Sequence, residues 1–108
     1  MPGPKPLSIN VLADAIPAPW ETSDVVSVNG SLLRLVRAEG VMDWHRHEED
    51  QLFICWQGKF TIDIEGAPAV VLGPGDVYVI PRRARHRTSA DGLAYALMSI
   101  GDHTIAAG

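Results

Sequence analysis

A single cysteine, Cys55, excludes a disulfide within the chain and leaves no second thiolate for a cysteine metal site. Its neighbours Phe53, Ile54 and Trp56 put it in an apolar run, which points to burial. Long apolar stretches are missing as well: none approaches the ~20 residues that cross a bilayer. The opening Met1-Pro2-Gly3-Pro4-Lys5-Pro6 is too proline-rich to serve as the apolar core of a secretory signal. Positive charge is in short supply: 9 Lys and Arg against 13 Asp and Glu leave a net charge of −4. That balance disfavours a nucleic-acid partner, whose phosphates must be neutralised. The expectation from these absences is a cytoplasmic protein whose partners include neither nucleic acid nor membrane.

What is present fits one hydrophobic core, since 108 residues are too few for two. Residues 1–8 are expected to be a flexible proline-rich arm and residues 9–108 a single domain. Residues 9–16 allow one short helix or an edge strand, ended by Pro17 and Pro19. The remainder is punctuated as short strands. Residues 25–28 meet Asn29-Gly30, a two-residue hairpin signal, and lead into residues 32–36. Gly40 opens the segment that carries Trp44, His45 and His47, and residues 52–56 form an apolar run closed by Gln57-Gly58. Residues 59–65 alternate, with Phe60, Ile62 and Ile64 on one face and Lys59, Thr61, Asp63 and Glu65 on the other. Glu65-Gly66, Gly73-Pro74-Gly75-Asp76, Pro81 and Asp91-Gly92 break the rest into strands over 70–72, 77–80, 85–89 and 93–100. This spacing predicts an all-β sandwich or barrel with at most a short helical N-terminal segment.

The chain has 4 histidines, and three of them fall in one pattern. In a strand, residues two apart share a face, so His45 and His47 present two imidazoles side by side. Gln51 follows four residues later at the same parity, and His86 lies beyond the Gly-Pro-Gly-Asp turn on a segment able to sit opposite the pair. Imidazoles are the usual nitrogen ligands of a divalent transition metal, and the Gln51 amide oxygen offers a fourth ligand.

These residues resemble the two motifs of the cupin superfamily in its small single-domain form. The first motif reads here as Gly40, four residues, His45-Arg46-His47, three residues, Gln51, six residues, Gly58; the second as Gly75-Asp76, Pro81, Arg83, His86 and Ala90. Gln51 stands where the family has glutamate, Arg83 where it has glycine, and Ala90 where it has asparagine. Residues 44–53 are also similar to a branch loosely likened to mannose-6-phosphate isomerases. The resemblance implies a cupin-type jelly-roll β-barrel whose mouth holds one divalent metal on His45, His47, His86 and Gln51. Zinc, iron, nickel, copper and manganese all remain open. A neutral amide in place of a carboxylate leaves the metal's charge less compensated, which weakens metal binding but polarises a bound water or anion more strongly.

The implied function is metal-dependent action on a small polar or anionic molecule, of oxygenase, isomerase or lyase type. A non-catalytic small-ligand module and a dimeric interaction protein with a vestigial site are the alternatives. No catalytic residue is assigned; Tyr78, Cys55 and Glu48 are the candidate bases, and Phe53 and Cys55 share Gln51's parity. Glu48, Glu49 and Asp50 read as a solvated rim. Arg46, Arg85 and Arg87 should face away from the metal, while Arg82 and Arg83 lie in a turn from which an anion is within reach. Trp20, Trp44 and Trp56 offer an apolar patch for a homodimer, with Trp44 and Trp56 expected behind the site rather than lining it. His103 is expected on the surface near the tail.

Overall fold

The computed structural model describes residues 5–101; residues 1–4 of the proline-rich arm and His103 lie outside the described residues. Ser8 starts the one helix of the described residues, α1 (Ile9–Ala15), by accepting a hydrogen bond from the Val11 N–H at 3.3 Å. Of the two alternatives for residues 9–16, the helix is realised. Seven residues are too few to hold a helix in water unaided. Its stability comes instead from Ala13 and Ile16, which bury against Leu35, Tyr95 and Leu97.

Seven antiparallel strands follow: β1 (Thr22–Val28), β2 (Ser31–Val41), β3 (Gln51–Gln57), β4 (Phe60–Ile64), β5 (Val70–Leu72), β6 (Val77–Ile80) and β7 (His86–Ile100). Their order is β1-β2-β7-β3-β6, with β4 pairing both β5 and the start of β7. This is the all-β architecture expected from the spacing of turns, in the jelly-roll form that the family resemblance implies. Asn29 and Gly30 close the β1–β2 hairpin with φ of 49° and 80°, the left-handed pair that matches strand twist. In β4 the expected alternation holds: Phe60 and Ile62 are fully buried while Thr61 and Asp63 are half-buried.

Alternation along β2 divides the apolar residues into two layers. Val36 and Ala38 join Phe53, Phe60 and Ile62 in the barrel interior, whereas Leu33 and Leu35 face α1. Phe53 and Phe60 meet edge to face at 5.0 Å between ring centres, each side chain's burial being worth about 1.5–3 kcal/mol.

Two expected breaks are not breaks. Asp91-Gly92 makes no hairpin; β7 runs through it as one 15-residue strand. Between the pairs Ala38↔Ala94 and Gly40↔Ala90 the register shifts, so Asp91, Gly92 and Leu93 swell outward as a bulge, all three exposed. Gly40 likewise does not open a new segment but continues β2, its φ of 93° absorbing that irregularity. Pairing on both sides of the bulge outweighs the local turn signal. The three tryptophans also fail to form one patch. Trp56 packs beside α1 and donates to Asn10 Oδ1 at 3.0 Å, while Trp20 and Trp44 line a cavity at the barrel mouth.

Gly58 follows β3 with φ of 81°, and a Cβ there would lie 2.7 Å from both Leu93 O and Ala94 Cβ. Gly58→Ala should therefore cost about 2–4 kcal/mol, combining left-handed strain with overpacking. Gly66, with φ of 80° and open space around it, should cost only about 1 kcal/mol on the same change. Urea unfolding of the two variants measures the difference; equal midpoints would refute the steric argument.

Candidate metal centre

Residues 42–50 connect β2 to β3 and carry two of the three clustered histidines. They do not form a strand. The segment is stitched to its neighbours one bond at a time. His45 and His86 exchange both backbone hydrogen bonds, at 2.8 and 2.9 Å, as an isolated bridge. Met42 N–H donates to Thr88 O at 2.9 Å and Arg83 N–H to His47 O at 2.7 Å. Arg82 N–H donates to the Asp50 carboxylate at 2.8 Å. Arg83 holds φ at 64°, a left-handed conformation that favours glycine and accounts for the glycine of the resembled motif at this place.

Trp44 anchors the same segment from outside. The Arg85 and Arg87 guanidinium carbons stand 5.2 and 4.9 Å from its ring centre, each contact worth about 0.5–1 kcal/mol. Those arginines are in turn paired with Glu65 at 3.1 Å and Asp63 at 2.9 Å, so both point away from the histidines as expected. The parity expected for Trp44 does not apply, because its backbone is not in a ladder; it lines the cavity as well as bearing on the arginines.

The stitching brings the imidazoles of His45, His47 and His86 together. Their potential ligand atoms all lie within 4.8 Å of one another, close enough to hold one metal ion. Ring centres are 4.3 Å apart for His45–His86, 5.0 Å for His45–His47 and 5.5 Å for His47–His86. Two of the rings have their tautomer fixed. His45 Nδ1 lies 2.9 Å from Asp43 O, and His86 Nδ1 lies 2.9 Å from Ala84 O. A carbonyl oxygen only accepts, so each Nδ1 carries the proton and each Nε2 keeps its lone pair.

His86 is 1% exposed, and its buried Nε2 has no hydrogen-bond partner among the described residues. Leaving a buried acceptor unsatisfied costs about 1–3 kcal/mol, and a cation at that atom removes the cost. The donor set therefore fits a nitrogen-ligated transition metal. Burial pushes the His86 pKa below the ordinary histidine range; the Ala84 carbonyl opposes the shift and neighbouring His45 adds to it.

Gln51, the first residue of β3, is buried and lines the same cavity. The cavity is about 500 Å³, with apolar walls from Trp20, Trp44, Phe53, Phe60, Met98 and Ile100. None of the three candidate bases lines it. Tyr78 packs half-buried against the interior cluster. Cys55 is fully buried with Sγ near Gln57 O and Gly58 O, and burial followed by the Asp76 charge pushes its thiol pKa up. Glu48 pairs with Arg83 at 3.2 Å; it and Glu49 are half-buried, whereas Asp50 is exposed. Neither Arg82 nor Arg83 lines the cavity. The charged residues that do are Arg34 and Asp43, which sequence reasoning did not single out. A signal for Arg34 was available: it shares its parity along β2 with the interior residues Val36 and Ala38.

Fold and cluster together define a small antiparallel jelly roll that opens on a histidine-lined cavity. The family model described as Cupin domain matches residues 32–100, more than half of the chain, and the chain belongs to the cupin family. It is 37% identical over 65 residues to the uncharacterized protein YdbB of Bacillus subtilis (strain 168), a match spanning 59% of this chain and 58% of that relative's length. A cupin-2 domain containing protein from Shewanella frigidimarina superposes with a TM-score of 0.84 at 24% identity, covering 88% of this chain and 93% of that one. Hydroquinone 1,2-dioxygenase from Sphingomonas sp. TTNP3 superposes at 0.72 with 18% identity, over 77% of this chain and 28% of that one.

The depressed His86 pKa sets a sign for stability in metal-free protein. The unfolded chain takes up a proton near the ordinary value of 6.5, before the folded chain does. Stability from this group is complete above that value and is lost as pH falls through the lower folded value. Thermal melts of chelator-treated protein should show the midpoint dropping below pH 6.5, and His86→Gln should flatten that drop. A midpoint independent of pH across this window would contradict the buried neutral imidazole.

Proposed function

We propose that this chain is a metal-dependent cupin enzyme that holds one divalent transition metal on His45, His47 and His86, with Gln51 as a fourth side chain. Its substrate is a small molecule, and the reaction is of oxygenase type. The observation that carries this reading is the three-imidazole cluster, with His86 buried and His45 and His47 half-buried, at a cavity of about 500 Å³. A metal held there supplies Lewis acidity and an oxygen-binding position to a chelating substrate. The carbonyls of Asp43 and Ala84 hold a proton on Nδ1 of His45 and His86, so each neutral ring offers its Nε2 as a donor atom. Gln51 contributes an oxygen without charge. Trp20, Trp44, Phe53 and Phe60 exclude water and offer flat faces to a planar substrate.

The oxygenase type is favoured over isomerase and lyase types by what lines the cavity. Proton abstraction needs a base within reach of the substrate. Tyr78, Cys55 and Glu48 do not line the cavity, and Asp43, its one carboxylate among the described residues, is at the exposed rim rather than within it. The shared fold of the hydroquinone dioxygenase suggests dihydroxybenzenes as first substrates to try.

Untagged protein purified without added metal should retain about one metal ion per chain, and His86→Ala should abolish that retention. Gln51→Glu should tighten metal binding by about 10- to 100-fold if the side chain reaches the metal or its water. Iron-loaded protein should consume oxygen with hydroquinone or catechol. Metal retention with no turnover of any such compound, and a ligand recovered unchanged, would favour a binding module instead.

A further inference from the structure

Arg34 sits on the inward face of β2, in alternation with Val36 and Ala38, and its side chain is 33% exposed. It is the only arginine or lysine lining the cavity among the described residues. A guanidinium on an otherwise apolar wall is costly unless paired. Its pairing is partial. Nε meets the carboxylate of Asp24, its register partner on β1, at 2.8 Å. Among the described residues, Nη1 and Nη2 have no hydrogen-bond acceptor.

Register fixes where this group stands. Phe53 on β3 faces Met98 on β7, and Met98 faces Arg34 on β2. All three line the cavity. Arg34 is therefore two strand spacings, about 10 Å along the sheet, from Phe53, and Gln51 precedes Phe53 on the same face. The apolar wall of Phe53 and Met98 lies between a cationic end at Arg34 and the histidine end.

We infer that the cavity selects a small organic carboxylate, gripped by Arg34 Nη1 and Nη2 with its apolar body along Phe53 and Met98. The planar end of a guanidinium matches both oxygens of a carboxylate, and charge-assisted bonds of this kind are about twice as strong as neutral ones. Only the orientation of the far end toward the histidines rests on the proposed metal reading; the carboxylate grip does not.

The test is calorimetric titration of the untagged full chain with benzoate and its neutral isostere benzamide, with metal content measured on every sample. Benzoate should bind saturably and at least about 10-fold more tightly than benzamide. Arg34→Gln should remove that advantage while leaving benzamide binding and metal content unchanged, and Arg34→Lys should restore part of it. Asp24→Asn keeps the guanidinium but removes the competing carboxylate charge, so benzoate binding should persist or strengthen. Equal affinity for benzoate and benzamide, no saturable benzoate binding, or a benzoate advantage that survives Arg34→Gln would each overturn the inference. Arg34-dependent benzoate binding in protein that holds no metal would support this inference while removing the metal reading. Arg34-independent binding in metal-loaded protein would do the reverse.

Discussion

Strand β7 exchanges hydrogen bonds with β2, β3 and β4, whereas every other strand of the described residues pairs with at most two. It can do so because it is long and because the outward bulge at Asp91, Gly92 and Leu93 lets its two halves serve different neighbours. The first half pairs with β4 and the second with β3. His86 is the first residue of that strand, the bridge partner of His45 and a buried wall of the cavity. His86 is thus anchored on the most heavily paired element, which limits how far it can drift, while His45 and His47 reach it from the stitched segment 42–50.

The polar chemistry of the cavity is mostly neutral. Three imidazoles come together with no carboxylate among them, Gln51 lines the same cavity, and two of the imidazoles have an Nδ1 proton committed to a backbone carbonyl. At His86 burial disfavours the imidazolium and so favours the unprotonated donor form. A cation placed there keeps most of its charge uncompensated by the protein. Under the proposed reading, that residual charge acts on whatever anion or oxygen ligand enters, and Arg34 adds a second positive end.

Much of this arrangement was legible in the residues. Asn29-Gly30 specified its hairpin, since the two left-handed residues it needs are the ones present. The alternation from residue 59 to 65 specified β4, since only one face could be buried. His45, His47 and Gln51 were expected to converge, and they do converge on one cavity. The stated cause was wrong, however. Single stitches to Thr88, Arg83 and His86 hold that segment, and no ladder does. Trp44 exposes the difference: parity put it behind the cavity, and the irregular backbone put it on the wall.

The sequence by itself determined the turn chemistry, the buried faces and the residue types that meet at the histidine cluster. Those follow from short-range sterics and from the period of hydrophobic alternation, which act over a few residues. Tertiary structure alone decided that Asp91-Gly92 stays within a strand, that Cys55, Tyr78 and Glu48 stay off the cavity wall, and that Arg34 lines it. Each of these outcomes depends on pairing between residues far apart in the chain. Backbone hydrogen bonds gathered along both edges of β7 outweigh a local turn preference, and no window of the sequence contains both partners.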